Sequence, residues 1–249
     1  MAHVRTAEKR STAHRVQVIA PEALGATAIA ALRRRDIEAR TVESAEASDD
    51  VIAWALAQPP SPATAVQLAS ACARAAAASR PVCVYAPAPL PGTRATGRAA
   101  IERAAALAHL RAAGAAIAHD VDAWLESIVL LARYGLPAGP HAAVIAPAGS
   151  WLEAQAIAAA ADAEALGQRG PSLVSDEPTD AVLYDPSLGS VPANLPGLHI
   201  PVTAIAELGG EHTLHHARAA IGAIAVLGRA AERIAVGLGP ADKIASAEL

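Results

Sequence analysis

Residues 80–114 read RPVCVYAPAPLPGTRATGRAAIERAAALAHLRAAG. A short apolar run at 81–86 predicts a strand, the Pro/Gly-rich stretch after it a turn, and the alanine-rich stretch from Thr96 a long helix. A strand followed by a turn and a helix aims the helix's free N–H groups, with their partial positive charge, at whatever lies in the turn. Thr93, Arg94, Thr96, Gly97 and Arg98 are therefore a candidate phosphate- or anion-binding loop, since an arginine fork matches a phosphate's oxygens. Against this stands a plain N-cap at Thr96 with solvated arginines.

Outward from this unit the same alternation recurs. Strands are predicted at 16–20, 38–42, 51–57 and 115–118, and helices at 21–35, 63–79 and 121–134. Pro21 suits a helix start, where its missing N–H is not needed. GLPAGP at 135–140 reads as a helix stop and a hinge. Beyond it come strands at 141–147, 172–176, 181–185 and 198–204, with helices at 151–166 and 213–233. The expected fold class is α/β, with two tandem flavodoxin-like three-layer domains of mainly parallel sheets. The expected divisions are a polar leader at 1–14, a first domain at 15–136, a second at 137–236 and a tail at 237–249.

The chain has 249 residues, enough for two compact cores. It is 53% hydrophobic, mostly alanine, with 2% aromatic residues and no phenylalanine, so its cores must rely on close helix approach and on Val, Ile and Leu. A formal net charge of −4 with interspersed signs offers no basic face for nucleic acid. The N-terminus has no signal-peptide pattern and the alanine runs are broken by charges, so no membrane span and a soluble cytoplasmic protein are expected. Two cysteines make no disulfide framework, and Cys72 and Cys83 read as buried thiols.

The 80–114 unit resembles the NDP-forming acyl-CoA synthetases and the succinyl-CoA synthetase α-subunit, in which a strand and loop lead into S-H-T-G and a helix ending in A-G. Thr96-Gly97 falls on the T-G and Ala113-Gly114 on the A-G, whereas the family's catalytic histidine falls on Ala95. The family's second domain opens with S-G-A-L-G; this chain keeps Ala23-Leu24-Gly25 behind Pro21-Glu22, where a carboxylate would repel phosphate. Its third domain carries N-A-G-G-P-G, matched here by Ala148-Gly149, with Ser150 placed either to cap the next helix or to line a second cleft with Ala148 and Gly149. The resemblance implies the family's second and third domains over most of residues 15–235. It also implies a small acyl or carbamoyl phosphate as ligand. No cofactor is expected to be the chain's own, and an acyl phosphate or CoA would be supplied through a partner subunit. The family's CoA-binding Rossmann and ATP-grasp domains find no counterpart, as no strand is followed by G-x-G-x-x-G. The chain is expected to be a homo-oligomer or a partner subunit of an ATP-grasp or CoA-binding chain. Without the imidazole, phosphoryl transfer through histidine is not available, so catalytic residues stay unassigned. A non-catalytic assembly or regulatory subunit on the same scaffold is the alternative.

Other residues carry weaker signals. His212 and His216, four apart beside Glu211, would share a helical face, but no third ligand has suitable spacing and no metal site is expected. His119 could titrate near neutrality, with no partner identifiable from sequence. His199 reads as a hydrogen-bonded structural residue, Asp49, Asp50 and Asp185 as solvated loop carboxylates, Glu22 as complementing its helix dipole, and Trp151 as core or interface packing.

Overall fold

Strands and helices alternate along the computed structural model, which describes residues 15–45, 50–88, 97–165, 170–173, 179–186, 195–203, 212–213 and 216–235. The leader and tail read from sequence lie outside these residues, as does most of the 93–98 loop. The first half runs β1 (Val16–Ile19), α1 (Glu22–Arg33), β2 (Ala39–Thr41), β3 (Val51–Ala55), α2 (Pro62–Ala77), β4 (Cys83–Tyr85), α3 (Arg98–Ala112), β5 (Ala116–Ala118) and α4 (Val121–Tyr134). The second runs β6 (Ala142–Ile145), α5 (Trp151–Ala165), β7 (Ala181–Tyr184), β8 (Leu198–Thr203), β9 (His212–Thr213) and α6 (Ala217–Ala235).

Every strand pairing is parallel, as the intervening helices require. The first sheet has the order β2-β1-β3-β4-β5 and the second β6-β7-β8-β9. Ser172 bridges the free side of β6, with Val144 N–H donating to Ser172 O and Ser172 N–H to Ala142 O, both at 2.9 Å. Ser172 thus stands where β2 stands in the first sheet, and both halves follow the flavodoxin-like 2-1-3-4-5 order.

Apolar residues from α2 and α3 cover one face of the first sheet. On its other face a single core runs from β1 and β3 through α1, α4 and α6 into α5, β6, β7 and β8. α4 lies in the middle of that core. Ala123, Trp124 and every residue from Glu126 to Ala132 are buried, far more than one amphipathic stripe. Its polar groups are accommodated individually. Trp124 Nε1 donates to Cys83 O at 3.0 Å, Ser127 Oγ to Ala123 O at 2.7 Å, and Glu126, 1% exposed, forms a close ion pair with Arg35.

Alanine and glycine set how closely these layers approach. α6 buries Ala217, Ala220, Ala223, Leu227, Gly228 and Ala231 along one face, and residues 139–140 cross it at Gly228. A Cβ on Gly228 would stand 2.1 Å from both the carbonyl carbon and oxygen of Gly139, so only glycine fits. Next to this crossing, Asp180 Oδ2 accepts from His141 N–H at 3.0 Å and contacts His141 Nδ1 at 3.1 Å, fixing the entry to β6.

The sequence-based boundaries need three corrections. The helix expected at 213–233 is α6, beginning at Ala217; residues 212–213 pair with Val202 and Thr203 of β8, because a parallel edge satisfies their backbone before the helix can start. α3 begins at Arg98 rather than Thr96, after Gly97 adopts a left-handed φ. Trp151 is 60% exposed and does not join the core, which is filled on that helix by Leu152, Ala156 and Ala159.

Gly228→Ala is expected to destabilise the protein by about 3 kcal/mol, since backbone rather than a mobile side chain blocks the added methyl; a urea titration that leaves the midpoint unchanged would refute the crossing. Burial pushes both Cys72 and Cys83 thiols up to about 12. At pH 8 neither should react with a thiol reagent in the native protein, and both should react in urea.

Candidate functional site

The carboxyl ends of β4 and β5 meet the opening of α3. β4 ends at Tyr85, and residues 86–88 carry two carbonyls held by cationic or ring side chains. Arg103 Nη2 donates to Pro87 O at 2.7 Å, and His119 Nδ1 lies 2.9 Å from Ala86 O. A carbonyl only accepts, so Nδ1 carries a hydrogen and donates it to Ala86 O. Arg111 Nη2 stands 3.4 Å from that Nε2. His119 therefore has the partners that sequence could not supply.

Thr93, Arg94, Ala95 and Thr96 lie outside the described residues. Gly97 is the N-cap of α3, with φ 64 and ψ −136, and among the described residues no side chain caps the helix. No acid lies in its first turn, and no described residue stands within 4 Å of a Cβ placed on Gly97. Arg98 is 92% exposed and its Nε donates to Glu102 Oε1 at 2.6 Å. This opening differs from those of α2 and α4, where Thr64 N–H donates to Ser61 Oγ at 3.1 Å and Ala123 N–H to Asp120 Oδ1 at 2.7 Å.

Ala148, Gly149 and Ser150 form the turn into α5. Glu153 N–H donates to Ser150 Oγ at 3.2 Å, and the Glu153 carboxylate accepts from Gly149 N–H at 2.5 Å. Ser150 N–H is taken by Pro147 O at 3.0 Å. This is a variant of the capping box, foreshadowed by Ser150-Trp151-Leu152-Glu153, in which the protein's own carboxylate reaches back to the N–H of Gly149, one residue before the cap. Before α1, Pro21 gives no side-chain cap and Glu22 supplies the first-turn acid.

The remaining candidates are dispersed. His212 sits on β9 and His216 just before α6, so the expected shared helical face does not form. Among the described residues no group of three or more His, Cys, Asp or Glu is placed to hold a metal ion. His199 Nε2 bonds Leu195 O at 3.0 Å, and Asp50 is not a free loop carboxylate but accepts from buried Gln17 Nε2 at 3.1 Å. Asp49 lies outside the described residues. No described helix is long and apolar enough to cross a membrane.

Sequence reasoning did not single out Arg111, in the last turn of α3, or Arg229 and Arg233, one turn apart on α6. Burial, then the charge of Arg233, pulls Arg111 below the ordinary arginine range; burial, Arg233 and Arg111 do the same to Arg229, partly opposed by Glu232.

No protein-family model and no curated protein sequence matches the chain. Solved structures do. The apo form of a dinucleotide-forming acetyl-coenzyme A synthetase 1 from Ca. Korarchaeum cryptofilum superposes with a TM-score of 0.59 at 16% identity, over 91% of this chain and 67% of that one. The same enzyme in complex with phosphate and ADP gives 0.58 at 14% identity, over 91% and 67%. A protein of Pyrococcus horikoshii OT3 gives 0.57 at 11% identity, over 89% and 65%. The chain spans about two thirds of the length of each. It shares the fold of these structures, an acetyl-coenzyme A synthetase among them, as the resemblance of the 80–114 unit implies.

Ser150→Ala should cost about 1 kcal/mol in thermal or urea unfolding through loss of the α5 cap. A neutral effect would show that the capping box contributes nothing to stability.

Proposed function

We propose that the chain binds a small acyl or carbamoyl phosphate at the opening of α3 and serves as one subunit of a larger enzyme. The observation that carries this reading is the N-terminus of α3, at the carboxyl end of β4, which no side chain of the described residues caps, on a fold shared with an acetyl-coenzyme A synthetase. Among the described residues its backbone N–H groups have neither a capping oxygen nor a first-turn carboxylate to compete with a ligand's phosphate. Thr93, Arg94, Thr96 and Arg98 would complete the cradle around Gly97.

Ala95 restricts the chemistry. A methyl group cannot take up a phosphoryl group, so the reading favours acyl or carbamoyl transfer in which phosphate is the leaving group. Such transfer depends on orienting the mixed anhydride and stabilising its oxyanion rather than on a phosphohistidine. An ATP-grasp or CoA-binding chain would supply the nucleotide or thiol chemistry, in a cytoplasmic assembly. The Ala148–Ser150 turn would border a second cleft through its backbone, because Glu153 already engages its donors.

A second reading is a non-catalytic assembly or regulatory subunit. The exposed apolar side chains of α5, Trp151 at 60% and Ile157 at 55%, favour it because they suit contact with another chain or copy.

Calorimetry with acetyl phosphate, carbamoyl phosphate, inorganic phosphate and CoA tests the first reading. Binding of an acyl or carbamoyl phosphate is expected, weakened about tenfold or more by Gly97→Ala, which forces a side chain into a backbone conformation that only glycine adopts readily. No heat with any of the four overturns it. Recovery of a catalytically silent protein with one stoichiometric enzyme partner would favour the second reading.

A further inference from the structure

We infer that His119 and Arg103 are positioning residues: by holding the carbonyls of Ala86 and Pro87 they fix the base of the β4–α3 connection, and with it the placement of a phosphate ligand at the opening of α3. The inference rests on the reading of that opening as a phosphate site and assigns a role to two residues which that reading leaves out.

Three consecutive carbonyls at the end of β4 are hydrogen-bonded. Tyr85 O accepts from Leu56 N–H at 3.0 Å, the ordinary link to the neighbouring strand. Ala86 O accepts from His119 Nδ1 at 2.9 Å and Pro87 O from Arg103 Nη2 at 2.7 Å. The partners thus change from backbone to side chain where the sheet ends. Tyr85 pairs with Ala118, and Ala86 N–H still donates to Ala118 O at 3.0 Å. β5 then stops, because Asp120 caps α4 by accepting from Ala123 N–H at 2.7 Å. Between the last strand residue and that cap, the imidazole of His119 stands in for the missing strand partner of Ala86 O.

Arg103 comes from the other side of the connection. It lies in line with Leu107 and Leu110, four and seven residues on, both buried against the first sheet. The half-buried arginine stem follows that apolar face while its head meets Pro87 O. This bond joins the two ends of the segment between β4 and α3. Closing a segment at its base removes positions that its ends could otherwise take, so the opening of α3 is held relative to β4. Arg111 Nη2, 3.4 Å from His119 Nε2, adds a contact between the last turn of α3 and the ring that grips Ala86 O.

Two measurements on the full chain provide the test: trypsin digestion under native conditions, and calorimetry with acetyl phosphate and carbamoyl phosphate. In His119→Ala and Arg103→Ala, cleavage after Arg94, which lies in the connecting segment, should run about threefold or more faster than in the wild type, the effect of losing one hydrogen bond. Cleavage after Arg80, ahead of β4, should keep its wild-type rate, which separates local release from a general loss of stability. The affinity for whichever compound binds more tightly should fall about fivefold or more in both variants. His119→Asn, whose side-chain N–H replaces that of Nδ1, should restore most of it, whereas His119→Gln, whose amide reaches the place of Nε2, should not. Wild-type cleavage after Arg94 in both alanine variants, equal acceleration at Arg80 and Arg94, wild-type affinity in both, or an asparagine variant as weak as the alanine one overturns the inference. If the wild type binds neither compound, the α3 reading fails, and the digestion alone decides whether His119 and Arg103 hold the connection.

Discussion

The carbonyl group of Gly139 rests against the Cα of Gly228, and the arrangement of the two sheets follows from that contact. A side chain at position 228 would lift residues 139–140 off α6 and displace the start of β6. Because the crossing is so close, α6 can reach back over α4 and along β5 while still closing the second sheet through α5. Alanine serves the same end elsewhere. Small residues contribute little apolar area each but permit near contact of backbones, so dispersion between layers replaces the bulky interdigitation that phenylalanine would supply. Trp124 is the exception, a large ring anchored through its indole N–H to Cys83 O.

Much of this fold is legible in the sequence. VQVI, VIAWA, CVY and AVLY are short apolar runs bounded by turn residues, and the helices between them make a parallel sheet the economical solution. The limits of such reading are equally specific. β9 is two residues long and owes its existence to the edge of β8, a partner that no local pattern around His212 reveals. Trp151 reads as core or interface packing; the helix turns Leu152 into the core and leaves Trp151 at the surface. Ser150 left two alternatives open, although Glu153 three residues later already signalled the cap.

The helix openings show how one backbone feature acquires different chemical prospects. At α2, α4 and α5 a serine or aspartate of the protein itself takes the first N–H groups, and at α5 a glutamate adds its charge. At α3 the cap position is a glycine, and no side chain of the described residues takes these groups. The difference lies in side chains, since the scaffold presents all these helix ends alike.

The burial of α4 on all sides also limits how this protein can be divided. A fragment ending at Tyr134 would carry to water an oily surface that the second sheet's helices normally blanket, and a fragment beginning there would lack the layer that α6 leans upon. The two halves look like interchangeable modules on paper. With one core between them, they should melt as a single cooperative unit.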